Sequence, residues 1–69
     1  MKDKIKVEVT EDFIVSDNTG KVLQEFREGE QYDVNLNNDT WEFICGETVA
    51  AEYDQFGNLT VHECFKVIQ

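Results

Sequence analysis

Apolar and polar residues alternate at every second position through most of this chain, and the spacing of an amphipathic helix is nearly absent. Ile5, Val7 and Val9 share one face of a first strand, with Lys6 and Glu8 on the other. Phe13-Ile14-Val15 runs extended into Asp17-Asn18-Thr19-Gly20, a cluster of turn-forming residues. Lys21 to Phe26 leads back, and Glu28-Gly29 turns the chain again. Tyr32, Val34 and Leu36 then alternate with Gln31, Asp33 and Asn35.

Asn37-Asn38-Asp39-Thr40 has the composition of a hairpin loop. Beyond it Trp41, Phe43 and Cys45 alternate with Glu42 and Ile44, which points Trp41 inward. Gly46-Glu47-Thr48 suits a three-residue hairpin with a bulge. Val49, Ala51 and Tyr53 point inward again, and Asp54 to Asn58 is the next loop. Leu59 and Val61 form a short strand, and Phe65 to Ile68 the last one. Unbroken alternation between them would bury Glu63 as an unpaired charge, so a single 3₁₀ turn at 62–64 is expected to reset the register. Five or six short strands with turn signals about every ten residues predict an all-β fold, a small barrel.

Length sets the scale of what such a barrel can do. At 69 residues there is room for a single domain, spanning 1–69. A core of this size supplies roughly 3–5 kcal/mol and leaves few side chains over for an enclosed active site. The hydrophobic fraction of 41% is enough to fold.

Charge changes the picture most. Fifteen Asp and Glu stand against six Lys and Arg, a formal charge of -9. Lys2, Lys4 and Lys6 crowd the first strand, so residues 8–63 carry nearly all the acid. This asymmetry points away from nucleic acid and anionic membrane as direct ligands, and a basic protein surface is the expected partner. Nothing at the N-terminus resembles an export signal and no stretch is long and apolar enough to span a membrane. Cys45 and Cys64 are expected to be reduced thiols of a cytoplasmic protein, and the sequons Asn38-Asp39-Thr40 and Asn58-Leu59-Thr60 chance matches.

Three segments carry a family likeness. Phe26-Arg27-Glu28-Gly29-Glu30-Gln31-Tyr32-Asp33-Val34 resembles the diverging turn of Src-homology-3 domains. Trp41 falls where that family places its tryptophan, and Val61 to Ile68 resembles its closing 3₁₀ turn and strand. The resemblance implies a Src-homology-3-like small barrel and, as one possible activity, protein or peptide interaction. The chain differs where that family docks polyproline: it has no proline, His62 stands at the groove proline, and Phe13 and Phe65 replace tyrosines. In size and acidity it also resembles accessory proteins of bacterial phages and mobile elements.

Candidate chemistry follows from the expected register. Pairing Trp41 with Tyr53 and Phe43 with Ala51 puts Glu42 opposite Glu52 and Asp54 opposite Thr40, with Asp33 two strands away. Like charges facing each other destabilise a sheet, which suggests a purpose. One reading is an acidic stripe of Glu42, Glu52, Asp54 and Asp33 that mimics the phosphates of a nucleic acid and blocks the basic cleft of a nucleic-acid-handling protein, such as a defence nuclease. The other is a solvated polar face. The loop acids Asp12, Asp17, Glu25, Glu28 and Glu30 extend the stripe or rim a binding groove. Trp41 and Tyr53 form either a binding platform or core, and Phe56 is either an exposed anchor or a plug for the barrel end. Besides inhibitor and interaction module, a structural part of a virion remains open, since exposed sheet edges can pair with other subunits. No catalytic, cofactor or metal site is expected. Cys64 lies two residues from His62 but among acids that disfavour its thiolate, and the ligand spacings of zinc and calcium sites are missing.

Overall fold

The computed structural model describes residues 2–69. Its elements are β1 (Lys4–Val9), β2 (Phe13–Ser16), β3 (Val22–Phe26), β4 (Gln31–Asn37), β5 (Glu42–Cys45), β6 (Thr48–Tyr53), β7 (Leu59–Val61) and β8 (Phe65–Val67). Six strands form one antiparallel sheet in the order β7-β6-β5-β4-β1-β8, and β2 and β3 pair apart from it as a ribbon. The outer strands β7 and β8 follow each other in the chain and touch, which curls the sheet into a nearly closed barrel. The barrel sheet has six strands, within the five or six expected, and β2 and β3 are two in excess of them. The excess arises because the segment between β1 and β4 closes its own ladder.

Alternation delivers the core. Ile5, Val7 and Val9 are buried, and their cross-strand partners Val34, Tyr32, Val67 and Phe65 sit on the same inner face. Phe43 faces Ala51 as expected, and both are fully buried. Phe26 ties the ribbon to the barrel. Its ring stacks on Phe13 at 4.7 Å and meets Phe65 and Tyr32 edge-on at 5.7 and 5.8 Å. Phe13 and Phe65 are thus members of a packed ring cluster. The ribbon's other side leaves Ile14, Val22 and Leu23 exposed. Among the described residues no buried side-chain nitrogen or oxygen lacks a hydrogen-bond partner.

Three local expectations are corrected. Trp41 lies in the turn before β5, with φ 61, and is 45% exposed, so it does not point into the core. The β5–β6 hairpin closes on two residues, Gly46 and Glu47, with Cys45 opposite Thr48. The irregularity lies higher up, where Ala50 is inserted between the pairs Ile44–Val49 and Phe43–Ala51. This bulge buries Ala50 and Ala51 together, which strict alternation forbids. Gln24 of the ribbon caps that turn by accepting from the Glu47 amide at 2.8 Å.

Segment 62–64 resets the register and leaves Glu63 exposed, but as one tight turn and not as 3₁₀ helix. The Phe65 amide donates to the His62 carbonyl at 3.3 Å, and Cys64 takes φ 72 at the third position, where a type II turn ordinarily has glycine.

Two stability outcomes follow. Phe26→Ala removes the centre of the ring cluster at a cost of about 3–5 kcal/mol, comparable to the whole stability of a core this small. Its amide NMR spectrum should collapse to that of an unfolded chain. Cys64→Gly relieves the left-handed backbone and should raise Tm by several degrees. An unchanged or lower Tm would show that the turn is unstrained.

Candidate functional site

The outer face of β4–β7 carries one polar row. Asn37 faces Glu42, Glu42 faces Glu52, and Glu52 faces Thr60. The expected juxtaposition of Glu42 and Glu52 is therefore present. Glu52 has a further neighbour, His62, whose Nε2 lies 3.3 Å from Glu52 Oε1. Asp33 stands outside this row. It sits four residues back along β4, directly across from Lys6 of β1, where the opposite charges favour the pairing.

Asp54 opens the loop between β6 and β7 and shapes it. Its Oδ1 accepts from the amides of Phe56 at 2.8 Å and Asn58 at 2.9 Å, and these bonds hold its carboxyl below the usual range. The same construction occurs in the β2–β3 loop, where Asp17 Oδ1 accepts from the amides of Thr19 and Lys21. The loops also share their main-chain closure. Asp54 and Asp17 donate to Asn58 and Lys21, while Gly57 and Gly20 donate back to the aspartates. Gly57 at φ 83 and Gly20 at φ 88 occupy the left-handed region that an L side chain resists. One Asp-x-x-Gly frame thus builds both turns.

Trp41 is fixed by its backbone. Its amide donates to the Asn37 carbonyl at 2.7 Å, and its carbonyl accepts from the Tyr53 amide at 3.0 Å. Tyr53 is half-buried: its ring lies 5.6 Å from Phe43, and its hydroxyl donates to the Lys2 carbonyl at 3.1 Å. Every aromatic ring except Trp41 and Phe56 packs against another ring. Those two look outward, Phe56 at 79% exposure. Together with Thr40, Tyr53, Asp54, Gln55 and Gly57 they line an open cleft of about 520 Å³. The structure thus joins Trp41, Tyr53, Phe56 and Asp54 in one place, with Glu42 and Glu52 next to Trp41 and Tyr53 in the chain. Phe56 is an exposed side chain and not a plug.

Glu28 and Glu30 are elsewhere. The pairing of Glu8 with Gln31 and of Lys4 with Asn35 puts their turn at the far end of the β1–β4 ladder from Trp41. Glu30 serves that turn: its Oε1 accepts from the Arg27 amide and the Tyr32 hydroxyl, both at 2.8 Å. Asp12 caps the Glu28 amide at 2.7 Å and lies 3.7 Å from Arg27, and Glu25 lies 3.4 Å from the same guanidinium. Glu8 pairs with Lys66 at 3.2 Å. The acids are thus spread over several faces, many with local work to do.

The remaining chemistry is sparse. The Cys64 thiol donates to Glu11 at 3.2 Å, and that bond pushes its pKa up, while the His62 ring turns to Glu52. Among the described residues no three His, Cys, Asp or Glu side chains converge as metal ligands. Among them, too, no helix is long and apolar enough to cross a membrane. Thr40 and Gln55 in the cleft and Gln24 at the hairpin turn are ordinary polar residues that no sequence motif marks. Only the repeated Asp-x-x-Gly spacing could have shown that the two loops are alike. Comparison with protein-family models, curated proteins and solved structures finds no match to the chain.

The Glu30–Tyr32 bond has a consequence at high pH. Hydrogen bonding to Glu30 raises the Tyr32 phenol from 10.0 to about 12. A group raised on folding stabilises below its unfolded value, and the gain is lost as pH climbs through the folded one. Denaturant unfolding should therefore show stability falling between pH 10.0 and about 12. Tyr32→Phe should be less stable at neutral pH but lack that alkaline phase. A phase of equal size in the variant would show that Tyr32 is not its source.

Proposed function

We propose that this barrel is a non-catalytic binding module that engages a basic partner protein through the cleft of Trp41, Tyr53 and Phe56. One observation carries the reading. In a chain that needs its rings for a small core, the two left out of the core stand together at one cleft. Exposed aromatics in a polar surround are the side chains that dominate interface energetics. Trp41 is held there at φ 61, a left-handed conformation that costs an L residue roughly 1–2 kcal/mol. Such strain often accompanies binding and active sites. Asp54 in the cleft wall, nearby Glu42 and Glu52 and the overall charge of -9 favour a cationic partner and speed its approach. Two unpaired thiols, Cys45 and Cys64, fit a cytoplasmic setting.

The face-to-face Glu42 and Glu52 favour a second reading. Here the outer acidic row imitates nucleic-acid phosphates and competes for the basic cleft of a nucleic-acid-handling protein, as an inhibitor from a phage or mobile element would. The separation of Asp33, Glu28 and Glu30 from that row weakens this version. Either way the barrel acts by occupying a basic surface.

Partners captured from bacterial lysate, then titrated with purified variants, separate the two readings. Under the first, Trp41→Ala with Phe56→Ser weakens binding by about 30-fold, a hot-spot loss. Under the second, Glu42→Lys with Glu52→Lys abolishes binding while the aromatic variant retains it. Binding indifferent to salt and to both variants contradicts each reading.

A further inference from the structure

We propose that the Trp41–Phe56 cleft is a guanidinium site, so that the partner presents arginine and not lysine there; this rests on the binding-module reading above. The two Asp-x-x-Gly loops serve as an internal control. Asp17 to Lys21 closes with the same aspartate, glycine and main-chain bonds as Asp54 to Asn58. At the position equivalent to Phe56 the first loop carries Thr19. The turn therefore has no need of a phenyl ring, and the core does not receive it, since Phe56 is 79% exposed. An apolar ring that serves neither turn nor core is explained by what it touches outside.

The cleft's composition selects the ligand. Its lining joins the two exposed aromatic residues Trp41 and Phe56 with Thr40 and the acidic Asp54, and among the described residues that line it there is no Lys or Arg. Aromatic faces attract cations through their electron-rich surfaces. Guanidinium is planar and weakly hydrated, so it can stack on a ring while its edge donates to a carboxylate. A lysine ammonium is a strongly hydrated point charge and gives up more water for the same contact. Hydrogen bonds to Asp54 set its carboxylate in a fixed loop, so little ordering remains for the ligand to impose.

Trp41 is the single tryptophan, and its fluorescence reads the site directly. The probes are acetylated, amidated octapeptides of arginine, lysine and citrulline, the last planar but uncharged. Octaarginine should bind about tenfold tighter than octalysine, with octacitrulline weakest. Phe56→Thr, which copies the working Asp17 loop and should fold, should erase the preference for arginine. Equal, salt-sensitive binding of arginine and lysine overturns the guanidinium site and leaves the basic-partner reading standing. A preference that survives Phe56→Thr overturns its location. Failure of both cationic probes to bind overturns the basic-partner reading itself.

Discussion

The ring of Phe26 stands where Phe13, Phe65 and Tyr32 meet, and the β2–β3 ribbon is held to the barrel through that junction. The constraint behind it is size. A chain of 69 residues has few buried positions, and three of the ten buried hydrophobic residues, Phe26, Phe43 and Phe65, are rings. Each ring given to the interior is unavailable to the surface, which is why the two left outside, Trp41 and Phe56, carry information.

The same scarcity accounts for much of the acidity. With little core and no proline, the loops must be fixed by side chains reaching back to main-chain amides. Asp17, Asp54, Asp12 and Glu30 all do this, each satisfying one or two amides of a turn. Others meet a cation across a strand or within a loop, as Glu8 meets Lys66 and Glu25 meets Arg27. Net charge therefore overstates the acid available to a partner. The part concentrated enough to matter is the Glu42–Glu52 pair, next in the chain to Trp41 and Tyr53 of the cleft, while Asp54 lines the cleft and holds its own loop at once. An acidic protein can thus owe its charge to turn chemistry and still direct a remnant of it toward binding.

Legibility from sequence varied by the kind of signal. Ile5, Val7 and Val9, the Phe43–Ala51 pair and the Glu42–Glu52 pair were readable, because a period of two leaves a strand only one face to bury. Alternation points Trp41 inward, but the residue stands in a turn, where backbone conformation and not pleat sets direction. Ala50 and Ala51 broke the pattern at a bulge, which two adjacent small residues do not announce. Strand alternation puts Asp33 on the same polar face as the acidic stripe, but the β1–β4 register gives it Lys6 as a neighbour.

What the residues determined by themselves was the all-β class, the inner face of each long strand, the turn at Asp17 and the excess of acid. All of these are local or compositional, set within a few residues of chain. Tertiary structure decided which carboxylates remain unengaged, where Trp41 points, and that Phe56 joins it at one cleft. Those outcomes depend on closing contacts between segments far apart in sequence, such as Tyr53 with Lys2, and no local pattern encodes such closures.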